Sequence, residues 1–319
     1  MTNADKPFLV AVVGCTAGGK SALAVELARR HGGEIVSCDS MQIYRGMDIG
    51  TAKPSAAERA EIPHWLIDIA DPTDPRGYSC ADYVRDARAS VEDILGRGRL
   101  PILCGGTGLY LDAFLRGGSF EVTDTDPALR ASLTARAQRE GGETLHRELA
   151  ELDPQSAATI HPHNVKRVVR ALEIYYTTGK SKSEFDRLSS NMECPYRALV
   201  IGLRYQNRDI LYDRINHRVD QMMAEGLPEE TRRLREAGVF DLCPTAAQAI
   251  GYKELFPWLD GHETRESAVE TLKAATRRYA KRQITWFTAR PYVTWVNADA
   301  EYGMQKFKDI VNNVEKHFP

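Results

Sequence analysis

The segment Gly14-Cys15-Thr16-Ala17-Gly18-Gly19-Lys20-Ser21 sets glycines, one ammonium and one hydroxyl in the spacing G-x-x-x-x-G-K-[ST]. Glycines let a backbone curl until successive N–H groups point inward at an anion, and a helix starting behind them adds its positive dipole end. Lys20 supplies a point charge for a terminal phosphate, and the Ser21 hydroxyl is suited to ligating Mg²⁺. The chemistry is therefore the binding of a diphosphate group. Most loops of this kind serve phosphoryl transfer and hold Mg²⁺ with an aspartate after a later strand. Here the later strand ends in Gly105-Gly106-Thr107, and the nearby strand-end carboxylate is Asp39, available as a metal partner or as a general base.

These groups need a scaffold, and the flanking pattern supplies one. Phe8 to Val13 is a continuous apolar run, as expected of a strand buried on both faces of a parallel sheet. Helical spacing follows over Ser21 to Arg30, closed by Gly32-Gly33. Strands are then expected at Glu34–Cys38, Leu100–Cys104, Tyr196–Leu203 and Tyr292–Val296, with a helix over Ala81–Gly96. This alternation predicts an α/β fold, a doubly wound parallel sheet of the P-loop NTPase-like kind. From about Asp126 to Arg187 the periodicity is helical throughout. The expected plan is a core made of residues 1–122 and 196–319, with a helical insertion at 123–195.

Composition narrows the classes. Hydrophobic residues at 43% and charged residues at 27% fit an ordinary globular chain, and the first apolar run is too short for a signal core or a membrane span. A cytoplasmic protein with no membrane partner is expected. Cys15, Cys38, Cys80, Cys104, Cys194 and Cys243 show neither C-x-x-C pairing nor zinc spacing, so they read as buried small hydrophobes. A net charge of −2 means that any nucleic-acid surface must come from local clustering of basic residues.

Asp39-Ser-Met-Gln-Ile-Tyr-Arg-Gly-Met-Asp-Ile-Gly-Thr-Ala-Lys-Pro54 resembles the tRNA dimethylallyltransferase (tRNA isopentenyltransferase) family, whose pattern D-S-x-Q-x-Y-x-G-x-D-I-G-T-A-K-P it matches throughout. Further matches are Pro63-His64, Leu66-Ile-Asp68, Tyr78-Ser79, Gly105-Gly-Thr-Gly-Leu-Tyr110 and Arg170-Ala-Leu-Glu173. Beyond them come Arg214-Ile-x-x-Arg218 with Met222, Gln248-Ala-Ile-Gly-Tyr252 and Lys281-Arg-Gln-Ile-Thr-Trp286, so the likeness runs from residue 8 to about 290. Cys15 and Gly18 stand where the family loop usually has Pro and Ser.

The resemblance implies transfer of a dimethylallyl group from dimethylallyl diphosphate to N6 of the adenosine just 3′ of the tRNA anticodon, with Mg²⁺ as cofactor. It makes Asp39 the general base and casts Thr16, Lys20, Thr107 and Arg218 as further catalytic groups. Arg214 and Arg218, four apart on one helix face, would add charge to the diphosphate held by residues Gly14 to Ser21. Ser40, Met41, Gln42 and Gln248 fall at positions implied to meet the RNA, and a Gln amide offers an adenine edge one donor and one acceptor. The stretch 277–290 carries five basic residues, no acid and three aromatics. By composition that suits either a solvated helix face or RNA phosphates with stacking; the family match favours RNA contacts by Arg278, Lys281, Arg282 and Gln283. Asn164-Val165-Lys166-Arg167 lies where the family meets the anticodon stem-loop, with Val165 in place of the usual Pro. With no Cys₂His₂ finger seen after Arg290, the resemblance leads to the expectation of a bacterial-type member, and a monomer is expected. The competing readings are an adenylate isopentenyltransferase, a P-loop nucleotide kinase and a non-catalytic RNA-binding module.

Overall fold

The structure, a computed structural model, describes residues 5–116, 126–190, 193–299 and residue 314. The expected boundary at residues 122 and 123 lies outside these. The chain divides into two compact units, Met1–Leu115 with Tyr196–Pro319, and Arg116–Pro195.

In the first unit, β1 (Phe8–Gly14) is buried along its whole length, as its unbroken apolar run requires. A loop leads into α1 (Lys20–His31), which turns Leu23, Ala24, Leu27 and Ala28 into the core, and β2 (Glu34–Ser37) follows. Next come α2 (Ala56–Glu61), β3 (His64–Trp65), α3 (Cys80–Gly96), β4 (Pro101–Gly105) and α4 (Gly108–Leu115). Both α2 and α3 begin with capping boxes, Ser55 with Glu58 and Ser79 with Asp82.

The second unit is helical among its described residues: α5 (Pro127–Glu140), α6 (Gly142–Leu152), α7 (Pro154–Thr159), α8 (Val165–Thr178) and α9 (Lys182–Ser190). Its core gathers Leu133, Leu145, Leu149, Val168 and Leu172. Inside it the fully buried Glu173 receives Nε and Nη2 of Arg130 at 3.0 and 2.8 Å.

The chain then completes the first unit with β5 (Arg197–Arg204), α10 (Arg208–Ala224), α11 (Leu227–Glu236), α12 (Val239–Leu242), α13 (Phe256–Leu259), the long α14 (Arg265–Thr288) and β6 (Val293–Asn297). The strands form one parallel six-stranded sheet in the order β3-β2-β4-β1-β5-β6, the doubly wound α/β arrangement expected. With β4 and β5 on either side of it, β1 delivers the phosphate loop at the middle of the sheet. Two expectations are corrected. The two-residue β3 is too short to carry a period and was not anticipated. Only Cys15, Cys38 and Cys243 are buried, whereas Cys80, Cys104 and Cys194 are half-buried.

Candidate active site

The loop after β1 is locked by its own backbone and by two distant side chains. Gly19 takes φ 90°, ψ 7°, the left-handed conformation a side chain resists, and this turns the chain into α1. Lys20 donates from Nζ to the Cys15 carbonyl at 2.7 Å, and Arg214 of α10 donates from Nε to the Ala17 carbonyl at 3.0 Å. Two loop carbonyls are thereby drawn onto cations. The first turn of α1 holds no acid, so nothing there opposes an incoming anion.

Gln283 of α14 fixes the loop from the other side. Its Oε1 accepts the Thr16 N–H at 2.8 Å while its Nε2 donates to the Gly106 carbonyl at 3.1 Å. One buried amide thus ties the phosphate loop to the glycine-rich turn after β4. Expected on the RNA-facing stripe, Gln283 is 5% exposed with both amide atoms engaged; it lines the cavity and braces the loop from there.

The turn after β4 in its turn fixes the segment that carries the carboxylate. Thr107 donates its backbone N–H to the Cys38 carbonyl, and its Oγ1 accepts the Ser40 N–H at 3.0 Å. Its hydroxyl also donates to Ser40 Oγ at 3.3 Å, so Thr107 holds a residue that lines the cavity. Asp39 Oδ1 accepts the Met41 N–H at 2.9 Å, which aims the carboxylate while leaving its second oxygen available. Gln42 accepts from Ser37 Oγ at 3.0 Å and donates to the Thr51 and Ala52 carbonyls at 3.3 and 3.2 Å.

These groups surround one cavity of about 860 Å³. It collects Thr16, Lys20, Ser21, Asp39, Ser40, Met41, Gln42, Arg218, Gln248 and Arg282 from positions far apart in the chain. A second hollow of about 370 Å³ lies along the outside of the loop, lined by residues Ala17 to Ala22 with Arg214, His217 and Arg218. Burial of the ammonium lowers the pKa of Lys20, and burial likewise lowers that of Arg218, with the charge of Asp39 opposing both shifts. Two desolvated cations beside the N-terminus of α1 favour a multivalent anion. Burial pushes the Cys15 thiol up, so Cys15 stays neutral and serves the loop through its carbonyl.

Several expected contacts lie elsewhere. Arg278 and Lys281 are exposed on α14 and do not line the cavity, while Arg282 sits 5.5 Å over the ring of Tyr279 and reaches its edge. In the helical unit, Asn164, Lys166 and Arg167 are exposed at the start of α8, and Asn164 makes no side-chain cap. Val165 is corrected: as the first residue of α8 it occupies a position that proline also tolerates, and its side chain packs against the unit's core. Sequence reasoning did not single out Tyr279 or Thr276, which also line the cavity from α14. The adjoining basic stripe is the signal that could have found them.

Comparison with known proteins agrees with this geometry. The IPP transferase family model matches residues 42–290, and an isopentenyl transferase model matches residues 7–68. The tRNA dimethylallyltransferase of Geobacillus thermodenitrificans is 48% identical over 95% of this chain and 94% of its own length, and that of Bacillus subtilis is 47% identical over 98% of both. Among solved structures, the full-length tRNA isopentenylpyrophosphate transferase of Bacillus halodurans superposes with a TM-score of 0.71 at 45% identity, covering 98% of this chain and 97% of that one. A eukaryotic dimethylallyltransferase acting on tRNA gives 0.82 at 29% identity, over 98% of this chain and 80% of the other. A phosphate loop, a strand-end carboxylate and a near-complete match to these enzymes lead to one conclusion: the chain belongs to the IPP transferase family, the tRNA dimethylallyltransferases.

Proposed function

We propose that this enzyme transfers the dimethylallyl group of dimethylallyl diphosphate to N6 of the adenosine 3′-adjacent to the anticodon in tRNA. The observation that carries the reading is a single cavity lined by both an anion cradle (Lys20, Ser21, Arg218) and the carboxylate of Asp39. Breaking the C1–O bond sends its electron pair to the diphosphate, where negative charge develops. Lys20, Arg218 and the N–H groups at the mouth of α1 stabilise that charge most strongly as it grows. The exocyclic amine forms the new N6–C1 bond and is a very weak base, so its proton must leave during attack; the free oxygen of Asp39 accepts it.

The residues present also fit Mg²⁺. Ser21 is exposed at the first turn of α1 beside Lys20, and no cluster of three or more acidic, His or Cys ligands occurs among the described residues. Mg²⁺ commonly keeps several waters and takes its remaining ligands from substrate phosphates, so one hydroxyl is an adequate protein share. When bound, the ion would neutralise charge on the leaving diphosphate.

The target adenine must leave its stack to enter the cavity, and exposed Lys166 and Arg167 on α8, with Arg278 and Lys281 on α14, suit phosphate contacts to the anticodon stem-loop. No helix among the described residues is long and apolar enough to cross a membrane. We read the enzyme as a cytoplasmic monomer. The test incubates the protein with labelled dimethylallyl diphosphate, Mg²⁺ and either unmodified tRNA or AMP. Label is expected in tRNA; label in AMP alone, or turnover of ATP alone, overturns the reading.

A further inference from the structure

Residues 48–53 form a stretch of the cavity wall that has no regular secondary structure. What holds it is a buried acid from another part of the chain. Glu230 of α11 is 5% exposed, and its Oε2 accepts the N–H groups of Asp48 and Ile49 at 3.1 and 3.0 Å. Its Oε1 accepts the Gly50 N–H at 3.0 Å and the Tyr252 hydroxyl at 2.8 Å. Three successive backbone N–H groups converging on one carboxylate make an anion-binding nest whose anion belongs to the protein. Arg233 approaches to 3.8 Å but donates its own N–H to the Gly46 carbonyl, so the backbone supplies most of the compensation.

The fit around Gly50 is close. A Cβ there would stand 2.4 Å from Cζ and 2.6 Å from the hydroxyl oxygen of Tyr252, so residue 50 must lack a side chain for the clamp to shut. The clamped stretch then presents the Thr51 and Ala52 carbonyls to Nε2 of Gln42. Gln42 lies three residues beyond Asp39, on the same cavity wall. The phosphate loop is braced separately, by Gln283 and Arg214.

We infer that Glu230 is a positioning residue for the RNA side of the site: by gripping the N–H groups of residues 48–50 it sets the carbonyls that orient Gln42, and through Gln42 the pocket for the target base. It touches neither substrate. The inference rests on the function proposed above for what enters the pocket, while the clamp itself does not.

Two measurements on the full chain test it, with Glu230→Gln as the variant. Amide exchange at residues 48–50 is expected to quicken, with exchange along β1 unchanged. The KM for an anticodon stem-loop RNA should rise about tenfold, equivalent to ~1.4 kcal/mol, while the KM for dimethylallyl diphosphate stays put. Tyr252→Phe, which keeps the carboxylate and loses one donor, should shift both readouts the same way by less. Unchanged exchange at 48–50, or an equal rise in both KM values, overturns the inference. If Glu230→Gln also loses protection across β1, Tyr252→Phe decides on the same criteria. Absence of label from tRNA with the unmodified enzyme would count against the proposed function alone, and the exchange measurement, which uses no substrate, would still judge the clamp.

Discussion

The α/β unit and the helical unit use their polar residues in opposite ways. In the first, the groups nearest the chemistry are held by buried or partly buried hydrogen bonds: Gln283 on Thr16 and Gly106, Thr107 on Ser40, and Arg214 on Ala17. In the second, the buried Glu173, paired with the exposed Arg130, serves the unit's own packing, while Asn164, Lys166 and Arg167 stand exposed at a helix start. Groups that must meet a developing charge gain from being fixed beforehand, since no reorganisation is then needed at the moment of reaction. Groups that meet a solvated RNA backbone need only charge and reach. Substitutions should therefore cost much in the first set and little in the second.

The largest effect is expected at Asp39. Asp39→Ala removes the proton acceptor and should lower kcat by roughly 10²–10⁴-fold, the usual worth of a general base, with tRNA affinity retained in a filter-binding measurement. Lost affinity would move Asp39 from chemistry to recognition. Lys20→Ala comes next, with a fall on the order of 10²–10³ in kcat/KM, as for removal of one donor to a developing anion. Lys20 also predicts a pH dependence. Only its protonated form attracts diphosphate, and burial has lowered its pKa below the ordinary 10.5. Pyrophosphate affinity, followed by calorimetry, should be full at neutral pH and fall on the alkaline side at a lower pH than an ordinary lysine would give. A flat profile through that range would remove Lys20 from diphosphate binding.

Gln283→Ala should cost about 1–3 kcal/mol in stability, because it strands the Thr16 N–H and the Gly106 carbonyl in a buried place. It should lower kcat as well, by loosening the phosphate loop. Smallest is the effect of Lys166→Ala or Arg167→Ala: tRNA affinity falls a few-fold, and the slope of log affinity against log salt drops by about one for each lost phosphate contact. A loss of kcat from either would break the contrast between the two units.

What could be read from the sequence follows the range of the interactions involved. The phosphate loop was legible because its function rests on neighbouring backbone groups, and β1 because a strand covered on both faces is apolar at every position. The helical unit showed itself by unbroken helical period. Illegible were the braces. Gln283 meets Thr16 across 267 positions and Glu230 meets Gly50 across 180, and neither bond leaves a local pattern. Gln283 accordingly read as part of a basic stripe in which Arg278, Lys281 and Arg282 are exposed. Val165 was misread for a related reason: its neighbours are exposed, but helical geometry turns the first residue of α8 onto the core.

Under the proposed function the phosphate loop holds a group that departs, in place of a nucleotide triphosphate. The direct measurement counts products: pyrophosphate released and adenosine prenylated in the same reaction, with ATP present and its hydrolysis followed in parallel. One pyrophosphate is expected for each dimethylallyl group found on tRNA, dependent on Asp39 and Lys20, with no phosphate from ATP. Phosphate released from ATP without pyrophosphate, or prenylated tRNA formed equally well by Lys20→Ala, would contradict it.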